Sequence, residues 1–117
     1  MKDIILSPNS TIKKAIEVLN KGAMRIAVVL DKNKKFLGTI GDGDIRRAIL
    51  NGYSLDDIIE NIYKKNPVTA SINTSKEKLI SLCVENSIYQ IPIVENNKLV
   101  DIVILDNSIN GSFFEEE

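Results

Sequence analysis

A mixed α/β (α+β) fold, built as two copies of a small sheet flanked by helices, is what the 117 residues predict. Three observations carry this. Short runs rich in β-branched residues, Ile26 to Leu30, Phe36 to Ile40 and Ile91 to Val94, are too short for globular helices and suit buried strands. Between them lie stretches with apolar residues at helical spacing, such as Ile12, Ala15, Ile16 and Leu19. The order helix, strand, strand then occurs twice. Ile91-Pro92-Ile93-Val94 repeats Ile26-Ala27-Val28-Val29 at an offset of 65, and Leu99 to Val103 repeats Phe36 to Ile40 at an offset of 63. That period is long for a solenoid and reads as an internal duplication.

Taken in order, Ile4 to Leu6 is a short apolar start punctuated by Ser7-Pro8-Asn9. Ser10 is placed to cap a helix carrying Ile12, Ala15, Ile16 and Leu19, which Gly22 ends. The polar residues 31–35 are few enough to join the two following strands antiparallel. A helix from about Asp44 to Leu50 follows, closed by Asn51-Gly52. Ser54 is placed to cap a further short helix with Leu55, Ile58, Ile59 and Ile62 on one side. In the second copy, Pro67-Val68-Thr69 opens the pattern. Thr74 and Glu77 have the spacing of a capping box, and Leu79, Leu82 and Cys83 form a helical stripe. Asn96-Asn97 turns the chain between the last two strands. The boundaries predicted are a first repeat at 3–62, a linker at 63–66, a second repeat at 67–110 and a frayed tail at 111–117. One copy has too few residues to bury both faces of its elements, and two copies packed through their sheets would solve that problem.

Composition removes several chemistries. The chain has no histidine and no tryptophan, which excludes imidazole catalysis, serine–histidine triads and histidine metal sites within it. The single cysteine, Cys83 in the apolar setting S-L-C-V, excludes an internal disulfide and reads as a packed thiol. No window has the length or apolarity of a membrane span, and the start has no long apolar stretch of the signal-peptide kind, so the cytoplasm is the default. Net charge is −1 but uneven: residues 1–66 carry 12 Lys and Arg against 8 Asp and Glu, and residues 67–117 carry 3 against 8. The basic half favours a phosphate-bearing ligand. No dense basic stripe with interleaved aromatics supports nucleic acid.

The chemistry concentrates in F-L-G-T-I-G-D-G-D-I-R-R-A-I-L, residues 36–50. An apolar strand passes through Gly41, Asp42 and Gly43 into a helix, and glycines permit close approach or unusual backbone angles. Asp44 stands at the helix start, where its carboxylate can accept from free N–H groups or from a ligand. Arg46 and Arg47 follow within a turn. A strand, a glycine turn and a helix start can hold a small polar ligand, and can equally be a capped turn that holds nothing. Asp42 and Asp44 lie on one short turn with no facing carboxylate, which argues against glycosidase chemistry, and two carboxylates alone do not make a metal site.

On M-R-I-A-V-V at 24–29, F-L-G-T-I-G-D-G-D-I-R at 36–46, N-P-V-T at 66–69 and Y-Q-I-P-I-V at 89–94, residues 3–108 resemble a tandem pair of cystathionine-beta-synthase-type (CBS) domains, or Bateman module. G-D-G-D-I-R-R-A-I-L with N-G-Y-S-L-D-D after it is most similar to the pair that precedes a sugar-phosphate nucleotidyltransferase domain of the mannose-1-phosphate guanylyltransferase kind. The resemblance implies two pseudo-twofold-related repeats and a regulatory, non-catalytic role with that catalytic domain in cis. It implies a homodimer through helical faces, no required cofactor and no metal. It also implies AMP, ADP or ATP as a regulatory ligand in the first cleft, with a ligand-free assembly module as the alternative.

The family signature runs Gly, two apolar residues, Ser or Thr, two variable residues, then Asp. Here it reads Gly38, Thr39, Ile40, Gly41, Asp42, Gly43, Asp44. Asp44 falls on the ribose-binding carboxylate, and Gly41 falls where the family has a hydroxyl, leaving its N–H to serve a phosphate. Asp42 would approach a phosphate-bound cation, and Arg46 a phosphate. Ser7 and Arg25 to Ala27 fall where backbone contacts the base. Arg25 reads alternatively as an edge salt bridge. In the second copy Asp101, Ile104 and Asn107 replace the signature's Gly, hydroxyl residue and Asp, so that cleft is expected to hold no nucleotide.

Overall fold

A computed structural model describes residues 2–22, 25–106 and 113–116. Its contacts divide the chain into two units, residues 1–67 and 68–117. In the first, a 3₁₀ turn at Lys2–Ile4 leads into β1 (Ile5–Leu6), α1 (Ile12–Lys21), β2 (Ile26–Leu30), β3 (Phe36–Gly41) and α2 (Asp42–Leu50). The sheet order is β1-β2-β3. β1 runs parallel to β2, with Leu6 opposite Val29, and β3 runs antiparallel to it, with Ala27 opposite Ile40. Leu6, Ala27, Val29 and Ile40 face the helices and form one core with Ile12, Ala15, Val18, Ile45, Ala48 and Ile59. The second unit has α3 (Lys76–Asn86), β4 (Gln90–Glu95), β5 (Lys98–Asp106) and β6 (Phe113–Glu116), with sheet order β4-β5-β6. Its core is Leu79, Cys83, Ile91, Ile93, Val103 and Leu105.

The duplication is real, but its period for the first two strands is 64. Leu6 pairs with Val29, and Ala70 pairs with Ile93, so both partners are displaced by 64. Ala27 pairs with Ile40, and Ile91 with Val103, which gives 64 for the first strand and keeps 63 for the second. A slip of one residue moves every side chain to the other face. Because Ile26–Val29 and Ile91–Val94 are both unbroken apolar runs, composition gave no phase.

The side chains at the helix entrances repeat at the same interval. The Ser7 N–H donates to Ser10 Oγ at 3.0 Å, and the Ser71 N–H to Thr74 Oγ1 at 3.1 Å. The helix caps are therefore the next residues, Thr11 and Ser75, which accept from the N–H groups of Lys14 and Lys78. Ser10 and Thr74, expected to cap, close the turns before the caps. α3 ends on Ser87 in the left-handed region, φ 54°, a conformation that costs a β-carbon and suits glycine. Ser87→Gly is expected to raise stability by up to about 1 kcal/mol, read as a higher urea midpoint at unchanged slope.

Three stretches differ from expectation. Residues 54–62 form turns instead of a helix, because their backbone is used elsewhere. Asp57 and Leu55 carbonyls accept from the first N–H groups of α1, Ile12 and Lys13, at 2.8 and 3.0 Å, and the Ile59 N–H donates to Ser10 O at 2.9 Å. Ile59 is the fully buried anchor of this cap. Tyr63 and Lys64, read as linker, lie in the first unit: Lys64 exchanges two backbone hydrogen bonds with Thr39, at 2.7 and 3.0 Å, on the open edge of β3. Within the stretch expected to fray, Phe113–Glu116 form β6, antiparallel to β5, with Leu105 opposite Phe114.

Candidate functional site

β3 delivers the chain directly into α2. Gly41 is the last strand residue and also the helix N-cap, so Asp42 and Gly43 already lie in the helix. The expected glycine turn does not exist, and the helix starts two residues before Asp44. Gly41 is extended, with φ −132° and ψ −179°, a conformation open to any residue. Its lack of a side chain matters through space instead: a β-carbon there would lie 3.2 Å from the Arg25 carbonyl oxygen across the strand pair.

This start places Asp44 at the third helical position, where its carboxylate reaches back. Oδ2 accepts from the Gly41 N–H at 2.9 Å, the carboxylate half of a capping box. Gly41 can return no side-chain bond. α2 is therefore the helix whose N-terminus has no side-chain cap, whereas α1 has Thr11 and α3 has Ser75. Two carboxylates, Asp42 and Asp44, already stand in its first turn and answer the positive end of the helix. Oδ1 of Asp44 accepts from Arg47 Nη2 at 2.8 Å, with Asp44 14% and Arg47 67% exposed.

The strand register gathers most of the sequence-derived candidates at this corner. Ile26 pairs with Gly41, and Ala27 with Ile40, which sets Arg25 and Ala27 at the start of β2 beside the entrance to α2. Ala27 is fully buried, backbone included, opposite Ile40 in the strand pair. Arg25 is exposed at the strand start and is engaged with another group. Thr39 is buried in mid-strand, two residues before Gly41, and its backbone is taken by Lys64. Asp42 and Arg46 are exposed on α2.

Ser7 is not brought to this corner. It follows the Leu6–Val29 pair of parallel strands and so lies beside the C-terminal end of β2, whereas Gly41 lies beside its N-terminal end. The Gly41 N–H, expected to be free for a phosphate, is already donated to Asp44. Arg47, which the signature does not single out, is the arginine that reaches Asp44. The available signal was its spacing of three from Asp44, which puts the two side chains on one helix face.

The second unit places Ile104 opposite Gln90 on continuous strand, where the first has Gly41 opposite Ile26. Ile104 brings neither a hydroxyl nor a helix start. Asn107, the equivalent of Asp44, lies outside the described residues. Cys83 is buried in the core, and burial pushes its thiol above the ordinary range, which keeps it protonated and unreactive. Among the described residues, no helix is long and apolar enough to cross a membrane.

Two segments of the chain, residues 1–51 and 56–107, match the CBS domain family. A homoserine O-acetyltransferase from Methanococcus vannielii is 36% identical over 106 residues, which are 89% of this chain and 21% of that protein. The chain spans less than a third of the curated relatives it matches, such as 30% of the uncharacterized protein RP505 of Rickettsia prowazekii. The CBS-domain protein ATU1752 of Agrobacterium tumefaciens superposes with a TM-score of 0.75 at 22% identity, over 86% of this chain and 77% of that one. The CBS domain protein PAE2072 of Pyrobaculum aerophilum, solved in complex with AMP, gives 0.75 at 21% identity, over 86% and 79%. With two matched segments arranged as a sequence repeat and a fold shared with CBS structures, this chain belongs to the CBS domain family as a tandem pair, a regulatory module.

Proposed function

We propose that the chain is the adenine-nucleotide-sensing part of a longer protein, with AMP, ADP or ATP held by the first repeat and no chemistry performed by the chain itself. The observation that carries this reading is the Asp44 carboxylate, fixed by the Gly41 N–H at an otherwise uncapped helix start. A carboxylate so held can accept from ribose hydroxyls through the oxygen it shares with the Arg47 guanidinium. That PAE2072 was solved with AMP supports the choice of nucleotide. The ligand would favour one arrangement of the module over another, and a catalytic domain in cis would feel the difference. The segment G-D-G-D-I-R-R-A-I-L favours a sugar-phosphate nucleotidyltransferase of the cytoplasm as that domain. Calorimetric titration with AMP, ADP, ATP, GMP and GTP tests the reading. Saturable binding of one adenine nucleotide per chain is the expected result, and no heat of binding at about 1 mM nucleotide overturns it.

A ligand-free assembly module is the second reading, and exposed apolar side chains favour it. Ile49 and Leu50 end α2 in solvent, Leu50 at 78% exposure, and Ile16 on α1 is also exposed. Sedimentation with and without AMP separates the two: a homodimer indifferent to nucleotide belongs to assembly alone.

A further inference from the structure

We propose that Arg47 makes the first repeat discriminate phosphorylated nucleosides from bare ones, by holding the Asp44 carboxylate until a ligand phosphate draws its guanidinium away. This rests on the nucleotide reading above. Two separate observations place the guanidinium. Nη2 donates to Asp44 Oδ1 at 2.8 Å. A β-carbon built on Gly43 would lie 3.4 Å from Nη1, 3.7 Å from Nη2 and 3.9 Å from Cζ. The side chain therefore folds back along α2 towards its first turn and covers the surface that glycine leaves bare, even though it is an exposed arginine on a helix open to solvent.

The consequence is a competition at one carboxylate. Asp44 has about four acceptor positions on two oxygens. Oδ2 serves the Gly41 N–H and Oδ1 serves Arg47. A ribose diol brings two donors and must share Oδ1 with the guanidinium or displace it. A bare nucleoside offers the displaced arginine nothing in return. A nucleotide offers a phosphate, a stronger bidentate partner than a shared carboxylate. The same first turn carries Asp42, whose exposed carboxylate disfavours an anion, so phosphate recognition here depends on a nearby cation. Arg47 is the arginine whose guanidinium is folded over that first turn.

Adenosine and AMP titrated into wild type, Arg47→Gln and Arg47→Lys, by calorimetry, test this. In Arg47→Gln, AMP is expected to weaken about tenfold, and adenosine to hold or tighten because Asp44 is freed, so the ratio of the two affinities falls by at least about tenfold. Lysine restores part of the ratio, having the charge without the fork. Arg47→Gln with the wild-type ratio, both ligands unchanged or shifted alike, overturns the proposal and leaves Arg47 a surface ion pair. Wild type that binds neither ligand overturns the nucleotide reading and this inference with it. An unchanged ratio in protein that does bind overturns this inference only. Circular dichroism of the variants checks that the effect is not loss of fold.

Discussion

Gly38→Ala is expected to destabilise the first unit by about 3 kcal/mol, at the upper end of overpacking effects. The added methyl would stand 2.0 Å from the Lys64 carbonyl oxygen and 2.9 Å from Tyr63 Cδ1. The carbonyl belongs to backbone that Thr39 holds at both its N–H and its C=O, so it cannot swing aside as a side-chain tip can. Relief requires either the loss of the Thr39–Lys64 bridge or the withdrawal of Tyr63 from the core it packs against. A domain of this size has only about 5–15 kcal/mol in hand, so the midpoint of thermal unfolding should fall by on the order of 10 °C. Gly43→Ala is the matched control. Gly43 is helical and its nearest neighbour is the mobile end of Arg47 at 3.4 Å. The same substitution there should stabilise by about 0.5–1 kcal/mol. Urea titrations of both variants check the pair of signs. A Gly38→Ala midpoint close to wild type would mean that residues 63–64 yield freely and are the linker their composition suggested.

That glycine shows what the sequence could and could not reveal. The resemblance assigned Gly38 to a signature, but its physical reason is a segment 26 residues further on, Lys64. Polar composition at 61–66 gave no hint of it. The helices and strands were legible because their apolar periods differ. What was lost was phase: two unbroken apolar strands admit a displacement of 64 or 65 equally, and the pairing of Leu6 with Val29 and of Ala70 with Ile93 decides for 64. Caps slipped by one for a related reason. Ser10 and Thr11, or Thr74 and Ser75, are adjacent hydroxyl residues with interchangeable chemistry, and in both repeats the first closes a turn while the second caps. Residues 54–62 misled through their helical spacing, since backbone demand from the uncapped N–H groups of α1 outweighed local preference. At the candidate site, the signature draws attention to Asp44, but the use of its two oxygens was not legible, because both partners depend on where α2 begins.

The engagement of both oxygens decides how Asp44 should be tested. Asp44→Ala is expected to abolish detectable nucleotide binding, but it also strips the Gly41 N–H of its acceptor in a half-buried position, at a cost of about 1 kcal/mol. Lost binding in that variant alone would not separate a ribose contact from a loosened helix start. Asp44→Asn separates them. Its amide oxygen still accepts from the Gly41 N–H, so the helix start and the thermal midpoint should stay near wild type. With that oxygen engaged, the other carboxylate oxygen has become an NH₂ donor. It points at the Arg47 guanidinium and can accept nothing from a ribose hydroxyl. Hydrogen bonds to a charged acceptor contribute about 1.5–3 kcal/mol each, so AMP affinity should fall about 10- to 100-fold in a folded protein. Calorimetry and a thermal melt on one sample of Asp44→Asn read both quantities. A normal melt with lost affinity assigns the carboxylate to the ligand. A normal melt with wild-type affinity for AMP leaves Asp44 as the cap of α2 and places any nucleotide elsewhere on the chain.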